Sequence, residues 1–332
     1  MEKNQKKITI LIPVYNEEKV LDQLLARVVK VINQLNQYQF QLLFVDDGSS
    51  DNTMAIIKDA HSTYDFIDYV ELSRNFGKET AMLAGFDYAD GDAVVIMDAD
   101  LQHPPEMIEE MTYWWEEGYE DVYTVRKQRN EESAIRRYFS KLYYKLLTTL
   151  SNEPVYPSAG DFRLLDRKVV EALRRMRETE RNTKGLYAWV GFRKKELTYE
   201  EGLRAAGETK WSFRNLISLA VNGITSYSTV PLRIWSIIGL VISGLSFLFL
   251  IVEMFKVLFF QDAVSGYPTL IAFVVFLGGI QLISLGVIGE YLAKVFTETK
   301  DRPAYFVRDA SLDEEKKKKD AKNNDKVDED ES

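Results

Sequence analysis

The stretch "VIMDADLQHPPE", residues Val95–Glu106, joins an apolar strand pattern to two aspartates and a turn with two prolines. Asp98 and Asp100 stand one residue apart where the strand is expected to end. Side chains two apart on a strand point the same way, so these carboxylates repel each other unless a cation lies between them. The stretch therefore predicts a buried strand that presents a cation site at the edge of a sheet.

Three further strand patterns precede this one, and each is followed by polar residues and a helix pattern. They are "KITILIPVY", "FQLLFVDDGSSDNT" and "IDYVELSRNFGKETAMLAGFDYA". Alternation of strands and helices at this spacing predicts an α/β fold with a mainly parallel central sheet. Ligands of such sheets bind beyond the carboxyl ends of the strands. The polar clusters lie at those ends, namely Tyr15–Glu17, Asp46–Ser49, Arg74–Lys78 and Asp98–Gln102.

Several functional classes are disfavoured by composition and by missing motifs. No G-x-G-x-x-G follows the first strand and no G-x-x-x-x-G-K-[ST] occurs, which argues against dinucleotide and P-loop sites. The formal net charge of −9 argues against a nucleic-acid partner. The chain has no cysteine, which excludes disulfides and thiolate metal sites.

Two uncharged runs near the C-terminus, Ile234–Val252 and Ala263–Gly289, predict a membrane hairpin. The first run corresponds to a helix of about 28 Å, close to the thickness of a bilayer core. Basic residues flank the outer limits of the pair, with Arg233 before it and Lys294, Lys300 and Arg302 after it. By the positive-inside rule, the N-terminal domain and both termini are expected on the cytoplasmic side.

The predicted organisation has four parts. Residues 1–210 form a cytosolic catalytic domain, and residues 211–231 form a juxtamembrane amphipathic segment. Residues 232–298 hold two transmembrane helices, at about 233–257 and 267–291. Residues 299–332 form a cytosolic tail, which is expected to be disordered from about residue 311 because it is rich in alternating blocks of charge.

Six motifs in order carry a resemblance to a known family: "IPVYNEE", "VDDGSSDNT", "SRNFGKETAMLAG", "MDADLQHPPE", "AGDFRLLDR" and "GETKWS". Together they resemble the family 2 glycosyltransferases with a GT-A nucleotide-sugar-binding fold. They look most like the polyprenyl-phosphate glycosyltransferases of the dolichol-phosphate mannose synthase type. With two terminal spans, the chain is similar to the bacterial branch that glucosylates undecaprenyl phosphate. The resemblance covers about residues 5–310 and implies a location in the bacterial inner membrane.

A nucleotide-sugar donor gives chemical meaning to the paired acids. Its diphosphate leaving group gains negative charge as it departs, and a divalent cation can neutralise that charge. Mg²⁺ or Mn²⁺ prefers oxygen ligands from one or two carboxylates together with the substrate phosphates. The resemblance implies metal contact mainly from Asp100, with help from Gln102, and places Asp98 near the ribose or the metal. We interpret His103 as a residue that shapes the loop rather than as a ligand.

Fixed cations and base-binding groups complete the expected donor site. Arg74 and Lys78 follow the third strand, and Arg204 and Lys210 belong to "RAAGETKWS", a segment suited to close over the donor diphosphate. The resemblance places the nucleobase near Pro13, Tyr15, Glu17 and Asp46, while Asp47 either joins them or stiffens the turn. A carboxylate accepts N–H groups of uracil and of guanine alike, so UDP and GDP both stay open; the bacterial resemblance favours UDP.

The acceptor is expected to be a polyprenyl phosphate, whose oxygen is already anionic and needs positioning more than a base. "SAIRRYFSKLYYKLLTTL", from Ser133 to Leu150, predicts a basic amphipathic helix at the membrane surface, the alternative being an ordinary helix packed on the sheet. Arg136 or Arg137, with Ser140, is predicted to hold the lipid phosphate. Asp161 matches a family acid that orients the acceptor or a sugar hydroxyl, with a base role also open. Arg163 is predicted to pair with phosphate.

These inferences predict inverting, metal-dependent transfer of a hexose to undecaprenyl phosphate at the inner leaflet, giving a lipid-linked phosphosugar for cell-envelope glycosylation. UDP-glucose or UDP-N-acetylglucosamine is the favoured donor, although the residues do not identify the sugar. One alternative is a processive polysaccharide synthase, which two spans and the missing Q-x-x-R-W segment disfavour. Another is a non-catalytic, membrane-tethered scaffold that binds nucleotide sugars. Membrane hairpins of this kind can associate, so a homo-oligomer is compatible with the sequence.

Overall fold

A computed structural model describes residues 5–126, 159–179, 181–199 and 266–312, together with single residues and short runs between 235 and 259. The chain divides into two compact units. The first comprises Met1–Arg137, Glu153–Lys210 and Arg302–Ser332, and the second comprises Tyr138–Asn152 and Trp211–Asp301. The first unit is therefore built from three separate pieces of the chain.

The described part of the first unit contains one eight-stranded sheet. Its strands are β1 (Lys7–Val14), β2 (Gln39–Asp46), β3 (Ile67–Leu72), β4 (Ala93–Ile96), β5 (Asp121–Arg126), β6 (Ala159–Asp166), β7 (Lys194–Tyr199) and β8 (Val307–Ala310). The strand order is β7-β5-β6-β4-β1-β2-β3-β8. The four central strands are parallel, whereas β6 and β8 run antiparallel to their neighbours. This confirms the predicted α/β class with a mainly parallel centre.

Helices cover both faces of the sheet, which is why the central strands are continuously apolar. The helices of this unit are α1 (Leu21–Gln34), α2 (Thr53–Thr63), α3 (Lys78–Tyr88), α4 (Met107–Glu116), α5 (Arg167–Arg175) and α6 (Thr183–Trp189). Side chains of β1 alternate between the two layers of core: Ile10 and Ile12 pack with residues of α1, α2 and α4. Leu11 packs with residues of α3, α5 and α6 on the other face.

The strand order places a ligand crevice at the carboxyl edge beside β1. The chain runs from β1 to β2 and β3 in one direction, and then returns to place β4 on the opposite side of β1. The chain that leaves β1 turns toward β2, and the chain that leaves β4 turns toward β6 and β5, so a gap opens between these two segments at the edge. In doubly wound sheets this reversal is where ligands bind. The polar segments after β1 and β4 both lie at this point.

The sheet contains strands that the sequence analysis did not predict. β6 begins in the "AGDFRLLD" motif and inserts antiparallel between β4 and β5. β8 belongs to the segment predicted as a tail, yet it pairs with β3, and the Tyr69 N–H donates to Ser311 Oγ at 3.0 Å. Order thus continues to residue 312 in the described chain. The predicted disorder further on concerns residues 313–332, which lie outside the described residues.

The second unit contains the helix α7 (Tyr267–Glu298). It includes the second predicted span, residues 267–291, and continues past its expected end. Within it, Phe276–Glu298 has a mean hydropathy of 1.5, and among the described residues this is the one helix long and apolar enough to cross a membrane. Of the first predicted span, the described positions are helical, and the others lie outside the described residues.

Candidate functional site

The carboxyl edge of the sheet encloses a cavity of about 420 Å³ at the reversal between β1 and β4. Its walls come from the segments that follow four parallel strands, as the strand order requires. Seven of the predicted site residues line it: Pro13, Tyr15, Glu17, Asp47, Lys78, Asp98 and Asp100. The structure thus brings together residues that are up to 87 positions apart, counting from Pro13 to Asp100.

The segment after β4 holds the three predicted metal ligands, Asp98, Asp100 and Gln102, in a closed turn, and the first two of them line the cavity. Asp98 donates its backbone N–H to His103 Nδ1 at 3.1 Å, and Gln102 donates its backbone N–H to Asp100 Oδ1 at 3.1 Å. Between them Leu101 adopts a φ of +63°, a strained value for a residue with a branched side chain. These contacts turn the chain sharply, so that Asp98 and Asp100 both line the cavity.

His103 acts as a support for this turn, as the sequence analysis expected. Its imidazole is stacked on the ring of Phe162, with a centroid distance of 4.9 Å. Burial lowers the pKa of His103 below its usual value, although nearby carboxylates act in the opposite direction. Since Nδ1 accepts a hydrogen bond from Asp98, the neutral ring matches its role in the loop.

Lys78, the first residue of α3, joins the acids of two different strand ends. Its Nζ lies 2.6 Å from Asp98 Oδ1 and 3.0 Å from Asp161 Oδ2. Burial opposes its charge, but the two carboxylates outweigh that effect and keep the pKa of Lys78 above its usual range. Burial likewise raises the pKa of Asp161, whereas Lys78 and Lys184 lower it more, so the net shift is downward. Both groups are therefore charged at neutral pH.

The two aspartates at the end of β2, Asp46 and Asp47, differ sharply in their surroundings. Asp47 accepts hydrogen bonds from the backbone N–H groups of Phe76 at 2.7 Å and Gly77 at 2.9 Å, and so holds the loop that leads to Lys78. Asp46 is only 1% exposed. Its Oδ2 accepts from the Ser49 N–H at 3.0 Å, and its Oδ1 has no hydrogen-bond partner among the described residues. Burial raises the pKa of the Asp46 carboxyl.

Gly48 lets the β2 and β3 loops approach each other closely. Its φ is +72°, and a Cβ at this position would lie 2.5 Å from the carbonyl carbon of Arg74. A side chain here would displace backbone. The loop after β1 is bound to the same region, because Asn16 Oδ1 accepts from the Ser50 N–H at 2.8 Å and the Glu17 N–H donates to Thr53 Oγ1 at 2.8 Å.

Two predicted phosphate contacts are placed differently from expectation. Arg163 is buried, where it pairs with Asp121 at 3.1 Å, donates to the Gly160 carbonyl at 2.8 Å and packs on the ring of Tyr187. Its guanidinium is therefore committed to the protein interior and supports the strand that carries Asp161. Arg74 donates to the carbonyl of Asn75 at 2.9 Å and lies over the Phe76 ring, outside the cavity lining.

Five predicted phosphate contacts belong to segments that the structure does not describe. Arg136, Arg137, Ser140, Arg204 and Lys210 lie outside the described residues. Conversely, the structure adds Asn75 and Gly77 to the cavity and Lys184 to the surroundings of Asp161. Nothing in the spacing around Lys184 marks it as a site residue, because its proximity to Asp161 depends on how α6 packs against β6.

The acids fit a divalent ion that shares ligands with a phosphate. Among the residues that the structure describes, no group of three or more His, Cys, Asp and Glu side chains could hold a metal by itself. Mg²⁺ and Mn²⁺ do not need one, because they are held by one or two carboxylates plus substrate phosphates. Asp98 and Asp100 line the cavity and so present two carboxylates to it, and Lys78 Nζ, 2.6 Å from Asp98 Oδ1, adds a positive charge at the same wall.

Comparison with known proteins agrees with this geometry. The sequence profile of Glycosyl transferase family 2 matches residues 9–174. An uncharacterised glycosyltransferase of Synechocystis sp. is 43% identical over 302 residues, which is 91% of this chain and 95% of that protein. A prophage bactoprenol glucosyl transferase homolog of Escherichia coli is 38% identical over 302 residues, 91% of this chain and 98% of the other.

A solved structure was also found to be similar. The mannosyltransferase from Pyrobaculum calidifontis in complex with GDP-Man and Mn²⁺ aligns with a TM-score of 0.49 and 17% identity, over 68% of this chain and 64% of that chain. The family profile matches half of the chain and the two relatives match 91% of it, so the protein belongs to glycosyl transferase family 2, has the GT-A fold and is a glycosyltransferase.

Proposed function

We propose that this glycosyltransferase transfers a hexose from a nucleotide sugar to polyprenyl phosphate, with inversion at the anomeric carbon. UDP-glucose or UDP-N-acetylglucosamine is the proposed donor and undecaprenyl phosphate the proposed acceptor. The observation that carries the proposal is the cavity between β1 and β4, where Lys78 bridges Asp98 and Asp161 beside the expected base-binding residues. The name of the Escherichia coli relative supports a lipid acceptor and glucose.

The donor would occupy the cavity with its base toward the ends of β1 and β2. Pro13, Tyr15 and Glu17 line that side. Asp46, at the end of β2, is not among the lining residues; its buried Oδ1 has no hydrogen-bond partner among the described residues and is proposed to accept an N–H of a base that reaches this strand end. Lys78 would neutralise part of the diphosphate, and Arg204 and Lys210 remain proposed contacts from outside the described residues.

Asp98 and Asp100 would hold Mg²⁺ or Mn²⁺, with Gln102 next to them. When bound, the ion would neutralise charge on the departing diphosphate. Because the Lys78 ammonium lies beside Asp98, this ammonium and the bound metal ion would act on the same part of the diphosphate. The loop contacts of Asp100 and His103 keep the acids on the cavity wall before any ligand arrives, which lowers the cost of organising the site.

The proposed reaction is one direct displacement. An oxygen of the lipid phosphate forms a bond to the anomeric carbon while the bond from that carbon to the nucleoside diphosphate breaks, and the leaving oxygen takes the electron pair. An α-linked donor thus gives a β-linked lipid phosphosugar. The phosphate is already anionic, so Asp161 is assigned to orienting the acceptor or a sugar hydroxyl rather than to removing a proton.

The lipid acceptor implies a membrane setting. The apolar helix within α7 supports membrane association. We propose a second span over about residues 233–257, with the catalytic unit and both termini on the cytoplasmic side of the bacterial inner membrane. Arg136, Arg137 and Ser140 are proposed to bind the lipid phosphate at that surface, and the product would serve glycosylation of the cell envelope.

The function is tested by incubating the purified full-length protein with labelled nucleotide sugars and undecaprenyl phosphate, with Mg²⁺ or Mn²⁺ present. We expect one glycolipid from a UDP-hexose, and none after chelation until the metal is restored. Asp100→Ala should lower the rate by about 100-fold or more, because it removes a charge that acts on the leaving group. Asp65→Ala, a change at an exposed aspartate just before β3 and so at the amino edge of the parallel strands, should keep the wild-type rate.

Other outcomes would favour one of the alternative functions. Donor binding with no lipid product from any sugar would favour the scaffold, and a product that grows by many sugars would favour a processive synthase. An Asp100→Ala protein that is as active as the wild type would exclude the assigned metal ligand. Circular dichroism of the variant establishes that a lost rate is not a lost fold.

A further inference from the structure

A lysine that the sequence analysis did not predict lies beside Asp161. Lys184 Nζ is 3.8 Å from Asp161 Oδ1, whereas Lys78 Nζ is 3.0 Å from Asp161 Oδ2. Each oxygen of this carboxylate therefore faces its own ammonium group. The Asp161 side chain is only 12% exposed, and that of Lys184 is 54% exposed. Lys184 thus connects a buried acid of the site with solvent.

Charges alternate in sign along this part of the site. Asp98 is followed by Lys78, then Asp161, then Lys184. The cavity proposed for the donor is lined by Asp98 and Lys78, but its lining does not include Asp161 or Lys184. Lys184 is therefore the last charge of this series, and it lies next to Asp161 outside the residues that line the proposed donor cavity.

The backbone of Lys184 is held firmly by its neighbours on α6. The Thr183 N–H donates to Glu79 Oε2 at 2.9 Å, and the ring of Tyr187 packs 3.7 Å from the Arg163 guanidinium. Glu79 directly follows Lys78, so the first turn of α3 positions both lysines. A charged head group on a fixed backbone is what a preorganised binding residue requires.

The contact with Asp161 leaves Lys184 able to bind a second anion. An ion pair at 3.8 Å with a half-exposed lysine contributes little stability, because water screens it. A phosphate on this side of Asp161 would face two negative groups, the carboxylate and the donor diphosphate. An ammonium beside it would offset that repulsion and offer a charge-assisted hydrogen bond.

We propose that Lys184 binds the phosphate of the polyprenyl acceptor and holds it next to Asp161 for attack on the donor sugar. This inference rests on the proposed function and adds a specific acceptor contact to it. Arg163 was predicted for such a contact, but it is committed to Asp121 in the interior. Lys184 offers the exposed positive charge that Arg163 does not.

The test compares Lys184→Met, Lys184→Arg and a matched control, Lys168→Met, in the full-length protein. Lys168 lies on α5, is 74% exposed and is 3.9 Å from Glu120, so it forms an equally weak ion pair away from the cavity. Rates are measured against undecaprenyl phosphate at saturating nucleotide sugar, and against nucleotide sugar at saturating acceptor. Lys184→Met should raise the apparent KM for the acceptor by about ten-fold, the size expected for one charge-assisted contact.

The accompanying measurements separate binding of the acceptor from other roles. The KM for the nucleotide sugar should stay within about two-fold of the wild type, Lys184→Arg should recover most of the acceptor affinity, and Lys168→Met should behave as the wild type. An unchanged acceptor KM in Lys184→Met overturns the inference while the proposed function stands. A rise in the donor KM instead places Lys184 at the donor and also overturns it. A wild-type protein that forms no glycolipid refutes the proposed function, and this inference with it.

Discussion

At the scale of single residues, the neighbouring aspartates Asp46 and Asp47 differ in how fully the fold provides hydrogen bonds to their carboxylates. Asp47 places each carboxylate oxygen against a backbone N–H, of Phe76 and of Gly77. Asp46 buries a carboxylate of which one oxygen has no hydrogen-bond partner among the described residues. A buried, incompletely paired charge costs stability. Asp47 therefore holds the loop, whereas the buried carboxylate of Asp46 costs stability, and its role in binding the base is part of the proposed function.

Amide substitutions at the two positions should therefore change stability in opposite directions. Asp46→Asn removes a buried charge while its carbonyl oxygen can still accept from Ser49, so we expect a Tm higher by about 2 °C. Asp47→Asn turns an NH₂ group toward a backbone N–H and should cost about 1–3 kcal/mol. Thermal unfolding of the two variants beside the wild type measures this difference; equal shifts for both would contradict it.

The Asp46 effect should also depend on pH with a definite sign. Burial raises the folded-state pKa of Asp46 above its usual value of 3.8. The folded protein therefore takes up this proton before the unfolded chain as the pH falls, and the wild type regains the lost stability in that window. The stability advantage of Asp46→Asn over the wild type should shrink as the pH approaches 3.8.

The same variant should also bind the nucleotide about ten-fold more weakly, because Asn replaces a charged acceptor; calorimetric titration measures this affinity.

At the scale of elements, the site depends on how closely α3 packs against β1. Gly85, in the middle of α3, faces Leu11, and a Cβ there would lie 2.2 Å from Leu11 Cδ1 and 2.9 Å from its Cγ. Leu11 is fully buried, so it has little room to move. The same helix begins with Lys78. The absence of a side chain at Gly85 thus sets the distance between helix and sheet, and through it the place of Lys78.

Gly85→Ala should consequently weaken both the fold and the activity. We expect an overpacking cost of about 1–3 kcal/mol, together with a lower transfer rate as Lys78 moves away from Asp98 and Asp161. Gly286→Ala is the matched control, since it is also a helical glycine but its Cβ would meet no heavy atom within 4 Å. Denaturant unfolding and the glycolipid assay give the two readouts. A Gly85→Ala protein as stable as the wild type would show that Leu11 can repack without cost.

At the scale of the whole molecule, the catalytic unit is completed by chain that follows the apolar helix. β8 covers the outer edge of β3, and its Asp309 lies 2.6 Å from Lys58, while Arg308 pairs with Glu71 at 2.8 Å. These ion pairs are partly exposed and contribute little individually. Strand pairing and the burial of Ala310 and Ser311 are the larger contribution. A catalytic domain that stopped at residue 210 would lack this strand.

Two truncations of the full-length protein separate β8 from the charged tail. A chain ending at Leu312 retains β8 and should unfold at the wild-type temperature. A chain ending at Asp301 exposes the edge of β3, and its catalytic unit should unfold about 5 °C lower. Thermal unfolding and limited proteolysis of the two proteins give the measurement. Identical unfolding temperatures would mean that β8 contributes no stability to the sheet.

Much of this architecture follows from local patterns in the sequence. Four apolar strand segments with polar ends are enough to predict a parallel sheet, because parallel strands buried on both faces must be apolar along their length. The same reasoning places Tyr15, Asp47, Lys78, Asp98 and Asp100 on one edge, and all of them line the cavity. The paired acids Asp98 and Asp100 at a strand end indicate a cation. That this cation is a divalent metal ion is a prediction, which follows from the charge of a nucleotide-sugar donor.

Only the tertiary structure distinguishes residues whose local patterns look alike. Arg163 and Lys184 are both basic residues near Asp161, yet Arg163 is buried against Asp121, 42 positions away, and Lys184 reaches solvent. β8 pairs with a strand whose Tyr69 lies 242 positions from Ser311. Hydrophobic periodicity and turn residues are properties of a few neighbouring positions, so a sequence expresses them directly. Ion pairing and edge pairing depend on which distant segments meet, and that is decided when the whole sheet forms.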